Sequence, residues 1–197
     1  VVTVNANLSS TLAGAAITLK ATDRIVVSAG ASSSAYRTLQ TNNGNIILWS
    51  NSAGGTTGGI VINDWTTLNT ANGSTAQTTG GGKVWLAGGT TVNASGLPTG
   101  PAIGTGNSLS GVGFGTFLVG QTTTSIYSGG GDIYICGEGS TSSGLGISWN
   151  RNGVCQSGNG TITMIGESKT NVGAHGLEIG AYGGLVCGGR SGGVVGA

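Results

Sequence analysis

The chain has 197 residues, of which 42 are glycine and two are proline, and its formal charge is +1. Glycine at about three times its usual share without a Gly-X-Y period excludes collagen, and a chain full of Ile, Val and Thr with almost no net charge does not fit simple disorder. Charged residues make up 7%, against about 25% in an ordinary soluble domain; the surface is therefore built from Ser, Thr, Asn and Gly, and the scattered Lys and Arg exclude a nucleic-acid partner, whose phosphates call for clustered cations.

No apolar run approaches the ~20 residues needed to span a membrane. No leader-like stretch opens the chain, so an exported protein would have lost its signal or would carry it outside this piece. The N-terminal third supplies the first short strands, Val2-Thr3-Val4, Ala16-Ile17-Thr18-Leu19 and Arg24-Ile25-Val26-Val27. Then a pattern returns: a hydroxyl residue, two Gly or Asn, and Gly-x-apolar-x-apolar. Its copies are Thr41-Asn42-Asn43-Gly44-Asn45-Ile46-Ile47-Leu48, Thr79-Gly80-Gly81-Gly82-Lys83-Val84-Trp85-Leu86, Ser128-Gly129-Gly130-Gly131-Asp132-Ile133-Tyr134-Ile135 and Ser157-Gly158-Asn159-Gly160-Thr161-Ile162-Thr163-Met164, with a weaker fifth at Ser191-Gly192-Gly193-Val194-Val195.

Alternation at period two marks half-buried strands, and the preceding glycines permit a positive-φ corner. A second strand type recurs in Gly59-Ile60-Val61-Ile62, Gly144-Leu145-Gly146-Ile147-Ser148 and Gly176-Leu177-Glu178-Ile179. A third leads back to the first, in Ser125-Ile126-Tyr127-Ser128, Gly153-Val154-Cys155-Gln156-Ser157 and Leu185-Val186-Cys187. Three strands per unit describe one turn of a triangular solenoid.

The Gly44, Gly82, Gly131 and Gly160 anchors lie 38, 49 and 29 residues apart; the shortest interval is one bare coil and the longer ones carry loops. The main candidate insertion is residues 94–116, which holds both prolines, residues that obstruct central strands. A barrel or immunoglobulin-like sandwich is the alternative all-β fold, but neither returns one motif at whole-coil spacing. The expectation is an all-β parallel β-helix over residues 1–197 as a single domain of about six coils. Ile46, Val84, Ile133 and Ile162 should form one internal column, and Leu48, Leu86, Ile135 and Met164 a second. Both ends read as strand-like, as in a fragment or subunit of a longer fibre.

The stretch from Val4-Asn5-Ala6-Asn7-Leu8 through Ala16-Ile17-Thr18-Leu19-Lys20-Ala21 to Asp23-Arg24-Ile25-Val26-Val27, together with the repeated Ser/Thr-Gly-x-Gly-x-Ile/Val-x-Leu strand, resembles the filamentous-haemagglutinin-like repeat adhesins exported by two-partner secretion. The resemblance implies a right-handed parallel β-helix, a secreted or cell-surface location, and a role in adhesion or fibre building. Its motif brings no catalytic residues. The three cysteines and four tryptophans lie outside it.

Parallel β-helices also serve polysaccharide lyases and glycosidases, so the acids Asp23, Asp64, Asp132, Glu138, Glu167 and Glu178 need weighing. Glu138 and Glu167 follow equivalent strands one coil apart and could stack at a corner, where solvated corner residues are the plainer interpretation. Facing carboxylates for glycoside hydrolysis, clustered acids for a metal and a nucleophile beside a base are not evident. His175, the only histidine, reads as an exposed turn residue. Gly-x-Gly strings precede no helix, which removes a phosphate cradle. No metal or cofactor is expected.

Cys155 and Cys187, 32 residues apart in equivalent strands, should stack one above the other at ~5 Å, as a disulfide or as two thiols; Cys136 has no evident partner. Ile47, Trp85 and Tyr134 share an outward position between inward residues. They form a candidate contact surface for a protein or a sugar, unless a loop such as 94–116 folds over them. The functional reading is a non-enzymatic structural and adhesive rod that self-associates or continues into a longer fibre, with a glycan or other surface as a further partner. A carbohydrate-active enzyme, or an ice-binding solenoid built on Thr66-Thr67, Thr90-Thr91 and Thr122-Thr123-Thr124, are the alternatives.

Overall fold

The computed structural model describes residues 1–104, 110–115, 124–141, 144–149, 153–169 and 175–179. These hold no helix. The first rung consists of β1 (Val2–Val4), β2 (Leu8–Ser10) and β3 (Ile17–Lys20), and the second of β4 (Ile25–Val27), β5 (Arg37–Thr41) and β6 (Ile46–Ser50). The third is β7 (Ile60–Ile62), β8 (Thr66–Asn69) and β9 (Val84–Val92), followed by an excursion through β10 (Pro98–Gly100) and β11 (Ala102–Ile103). The fourth is β12 (Val112–Phe114), β13 (Thr124–Tyr127) and β14 (Ile133–Glu138), the fifth β15 (Ile147–Trp149), β16 (Val154–Gln156) and β17 (Ile162–Glu167), and β18 (Leu177–Ile179) opens a sixth. Like pairs with like: the first sheet runs β1-β4-β7-β12-β15-β18, the second β2-β5-β8-β13-β16, and the third β3-β6-β9-β14-β17, with β10 and β11 attached. Every ladder between rungs is parallel; β10 alone among the strands pairs antiparallel, with β9. The chain is a parallel β-helix with three strands per rung.

Register turns the alternating sequence into vertical columns. In the third sheet Ile17, Ile46, Val84, Ile133 and Ile162 lie one above the other, and so do Leu19, Leu48, Leu86, Ile135 and Met164. The second sheet contributes Leu8, Leu39, Leu68, Ile126 and Cys155. The first contributes a column that passes from Val4 through Val27, Ile62 and Phe114 to Trp149. Burial of these apolar side chains, worth roughly 1.5–3 kcal/mol each, makes one continuous core. Trp149, which follows the Gly144–Ser148 segment, belongs to the strand itself: it is the third residue of β15, 1% exposed, with its ring 4.1 Å from that of Phe114.

Two features of the corner before the third sheet explain the repeated motif. Its hydroxyl is internal and donates to the carbonyl of the anchor glycine: Thr41 to Gly44 (2.5 Å), Ser128 to Gly131 (2.5 Å) and Ser157 to Gly160 (2.6 Å). In the third rung Thr70, not Thr79, has this role, bonding Gly82 at 2.6 Å. Residues 71–81 are inserted between that hydroxyl and its glycine, and they place Thr78 and Thr79 against the corners of the next rungs, where the Thr78 carbonyl accepts from the Asn159 amide. Second, the anchor glycines are required for space. A Cβ on Gly82, Gly131 or Gly160 would lie 2.0–2.1 Å from the carbonyl oxygen of the glycine one rung below. The positive φ expected of the corner falls just before them, at Asn43, Gly129, Gly130 and Gly158.

The stretch 94–116 is divided. Its first part completes a hairpin that leaves the stack near Gly88 and returns at Ala102, whereas Val112–Phe114 is a core strand paired on both sides. The Leu185-Val186-Cys187 strand, the fifth motif copy and the chain end lie outside the described residues. Since the Gly131 contact is backbone on backbone, Gly131→Ala forces the rungs apart and is expected to destabilise the protein by about 3 kcal/mol, the upper range for overpacking. Urea unfolding of the variant checks this; a midpoint equal to the parent's would refute the spatial role of the glycine column.

Candidate functional site

Outward positions of the third sheet carry a cluster of aromatic and charged side chains. Trp85 and Tyr134 are adjacent in register and stack with centroids 4.2 Å apart at 17°. Ile47 lies one rung below Trp85 and is half-buried. Past Leu86, strand β9 no longer pairs with β14, although it stays beside β6 through Gly88, and β11 takes its place beside Gly137 and Glu138 of β14. The resulting β9–β10 hairpin, closed by the Asn93 side chain accepting from the Ser95 and Leu97 amides, folds across the aromatics. The Trp49 and Trp85 indoles donate to the carbonyls of Gly89 and Pro98, both at 2.7 Å, and the Tyr134 hydroxyl donates to Thr99 at 3.4 Å. Lys20 closes the lower side, its ammonium 3.8 Å from the Trp49 ring. The Trp and Tyr polar tips are thus occupied by the hairpin, and Trp85 and Tyr134 keep only part of their surface for a partner.

Further along β14, the next outward side chains are Cys136 and Glu138. Glu138 and Glu167 are in register, as expected of the corner pair, and Lys169 reaches both, at 3.4 and 3.1 Å. Lys169 is held above its ordinary pKa by Glu167 first and Glu138 second. Burial pushes the Cys136 thiol up; the Tyr134 hydrogen bond opposes this, while the charges of Glu138 and Glu167 add to it. Tyr134 is pushed up to about 12 by burial and by Cys136. A thiol held protonated is a weak nucleophile. Glu138 and Lys169, with Thr56, Thr57, Ile103 and Thr141, line a cleft of about 410 Å³.

Cys155 is buried in β16, stacked on Ile126; its expected partner Cys187 lies outside the described residues, as do Thr122 and Thr123. Thr66 is buried, Thr67 faces out from the second sheet, and Thr90 and Thr91 are on the hairpin. His175 is exposed. No group of three metal-ligating side chains occurs among the described residues. The same residues contain no helix long and apolar enough to cross a membrane. A groove of about 360 Å³, uncharged among its described lining residues, runs over the second sheet; its trace in the sequence is the alternate polar positions of strands whose inward residues define the core. Compared with known proteins, the chain matches no family model, no curated protein and no solved structure.

Asp132 links three rungs: its carboxylate accepts from Lys83 at 2.9 Å and from the Thr161 amide at 3.1 Å. These bonds, Lys83 first, hold its carboxyl below the usual carboxylate range. A folded-state pKa below the unfolded value of about 4 means the stabilisation is complete above that pH and is lost as pH falls through the lower folded value. Both side chains are more than two-fifths exposed, so water screens the pair and the effect is small. Urea midpoints measured across the acid range should fall less steeply for Asp132→Asn than for the parent. Identical acid slopes would show that the carboxylate contributes nothing.

Proposed function

We propose that this chain is a structural and adhesive β-solenoid rod that belongs to an extracellular, surface-exposed bacterial fibre of the filamentous-haemagglutinin-like kind its motifs resemble. The observation that supports this best is the uninterrupted vertical register of all three sheets, a geometry that lengthens by adding rungs and leaves chemistry to whatever the outer faces present. Strands of like type pair only with like in the neighbouring rungs, in parallel register. Val1 and Leu12 are exposed in the same rung, at 62% and 73%. A surface so poor in charge offers little repulsion to another copy. Association with further copies, or membership of a longer solenoid, is the partner this reading proposes.

The cleft beside Glu138 and Glu167 favours a second reading, a carbohydrate-active enzyme. Two carboxylates one rung apart on the same sheet sit side by side, whereas glycoside hydrolysis needs them across the scissile bond, and Lys169 neutralises the pair in part. The rod reading therefore stands ahead. Light scattering of the purified chain over a concentration series, with electron microscopy of the same samples, should show mass rising with concentration and elongated particles. A monomer at every concentration removes self-association. Degradation of a polysaccharide by the chain, abolished in Glu138→Gln, would replace the rod reading with the enzyme.

A further inference from the structure

We propose that the outer face of the second sheet binds a neutral oligosaccharide. This rests on the adhesive reading for its setting and adds the chemical class of the ligand. The face presents two vertical columns in register. Thr38, Thr67 and Ser125 form one; Gln40, Asn69 and Tyr127 form the other. They floor the groove of about 360 Å³, whose walls are Tyr36 from the connection before β5 and Gly73 and Thr75 from the inserted loop after β8.

Three properties select the ligand. Among the described residues that line the groove there is no Lys, Arg, Asp or Glu, so these supply neither the cations that recognise carboxylate or phosphate nor the anions that recognise amines. Its polar groups are available: among the described residues, the side chains of Thr38, Gln40, Thr67, Ser125 and Tyr127 make no hydrogen bond to protein. This contrasts with Trp85 and Tyr134, whose donors are engaged by the hairpin. Asn69 is used differently, its side chain accepting from Ala71 and Gly73 and donating to Ser74, which holds the wall loop in place. Tyr127 and Tyr36 supply the third property, aromatic surface with a polar tip, suited to the apolar C–H face of a pyranose while neighbouring hydroxyls and amides meet its equatorial groups.

Hydroxyl and amide donors repeat up the sheet at the rung spacing of ~4.8 Å, close to the length of one sugar residue in an extended chain. A protein partner would instead call for an apolar, aromatic-rich patch of several hundred Å².

Isothermal titration tests the proposal with neutral tetrasaccharides (cello-, xylo-, malto- and chito-oligosaccharides) and acidic ones (oligogalacturonate and heparin fragments). At least one neutral member is expected to bind with a Kd of about 1 mM or tighter. Tyr127→Ala and Gln40→Ala should each weaken it about tenfold or more, with circular dichroism and the unfolding midpoint unchanged, while Lys83→Ala, at the third sheet, leaves it intact. Gln40→Ala keeps the test decisive if the tyrosine variant folds poorly. Failure of every neutral oligosaccharide to bind overturns the proposal, as does binding indifferent to both variants or preference for the acidic ligands. Rods that associate without binding any sugar would remove the groove and keep the rod, whereas saccharide binding by a strict monomer would do the reverse.

Discussion

Successive rungs approach so closely at the corner before the third sheet that no side chain fits between them. At Gly82, Gly131 and Gly160 a Cβ would sit 2.0–2.1 Å from the carbonyl oxygen below. That closeness fixes which residue of one rung lies over which of the next, and the whole register follows. With glycine in place, a hydroxyl at the end of the second-sheet segment reaches the glycine carbonyl of its own rung, and in the third rung Thr70 also approaches the Ser128 carbonyl of the rung above at 3.2 Å. The buried corner polar groups are satisfied inside the coil, which matters because an unpaired buried carbonyl is costly. Once the corner is set, alternation along each strand delivers Ile, Leu and Val inward and leaves the outer faces free to vary.

That freedom is where any function resides. Extra chain leaves the stack at a corner, as residues 71–81 do between β8 and β9, or partway along a strand, as β9 does after Gly88. The first insertion walls the second-sheet groove; the second covers the stacked Trp85 and Tyr134 and occupies their polar tips. Charged side chains follow the vertical logic too: Lys83 pairs with Asp132 one rung above, and Lys169 bridges Glu138 and Glu167 across a rung. These pairs take up five charged side chains, and the described outer face of the second sheet presents hydroxyls, amides and a tyrosine.

Much of this architecture was legible in the residues because one motif specifies both corner and strand. The columns headed by Ile46 and Leu48 follow from alternation alone, as does the stacking of Glu138 with Glu167. Other features were hidden by the ways insertions imitate repeats. Thr79 precedes three glycines and so looks like the motif's hydroxyl, yet Thr70, twelve residues before Gly82, makes the bond. Strand β12 carries only Val112 and Phe114 between glycines and reads as loop, although both side chains are fully buried. Trp149 aligned with no earlier aromatic except that same unrecognised Phe114. The groove escaped notice because it is made of ordinary Thr, Ser and Gln whose significance comes only from stacking.

Register is the claim on which the core, the corner and both outer faces stand, and cysteine cross-linking measures it directly. Thr18 and Ile47 face outward in adjacent rungs and are Cα partners, at the separation of neighbouring strands, within reach of a disulfide. Thr18→Cys combined with Ile47→Cys, in a background with Cys136, Cys155 and Cys187 replaced by Ser or Ala, should oxidise readily to an intramolecular bond detected by mass spectrometry. Thr18→Cys with Asn45→Cys, two residues out of register, should not. Efficient bonding of the second pair and none of the first would contradict parallel in-register stacking, and with it the account given for this chain.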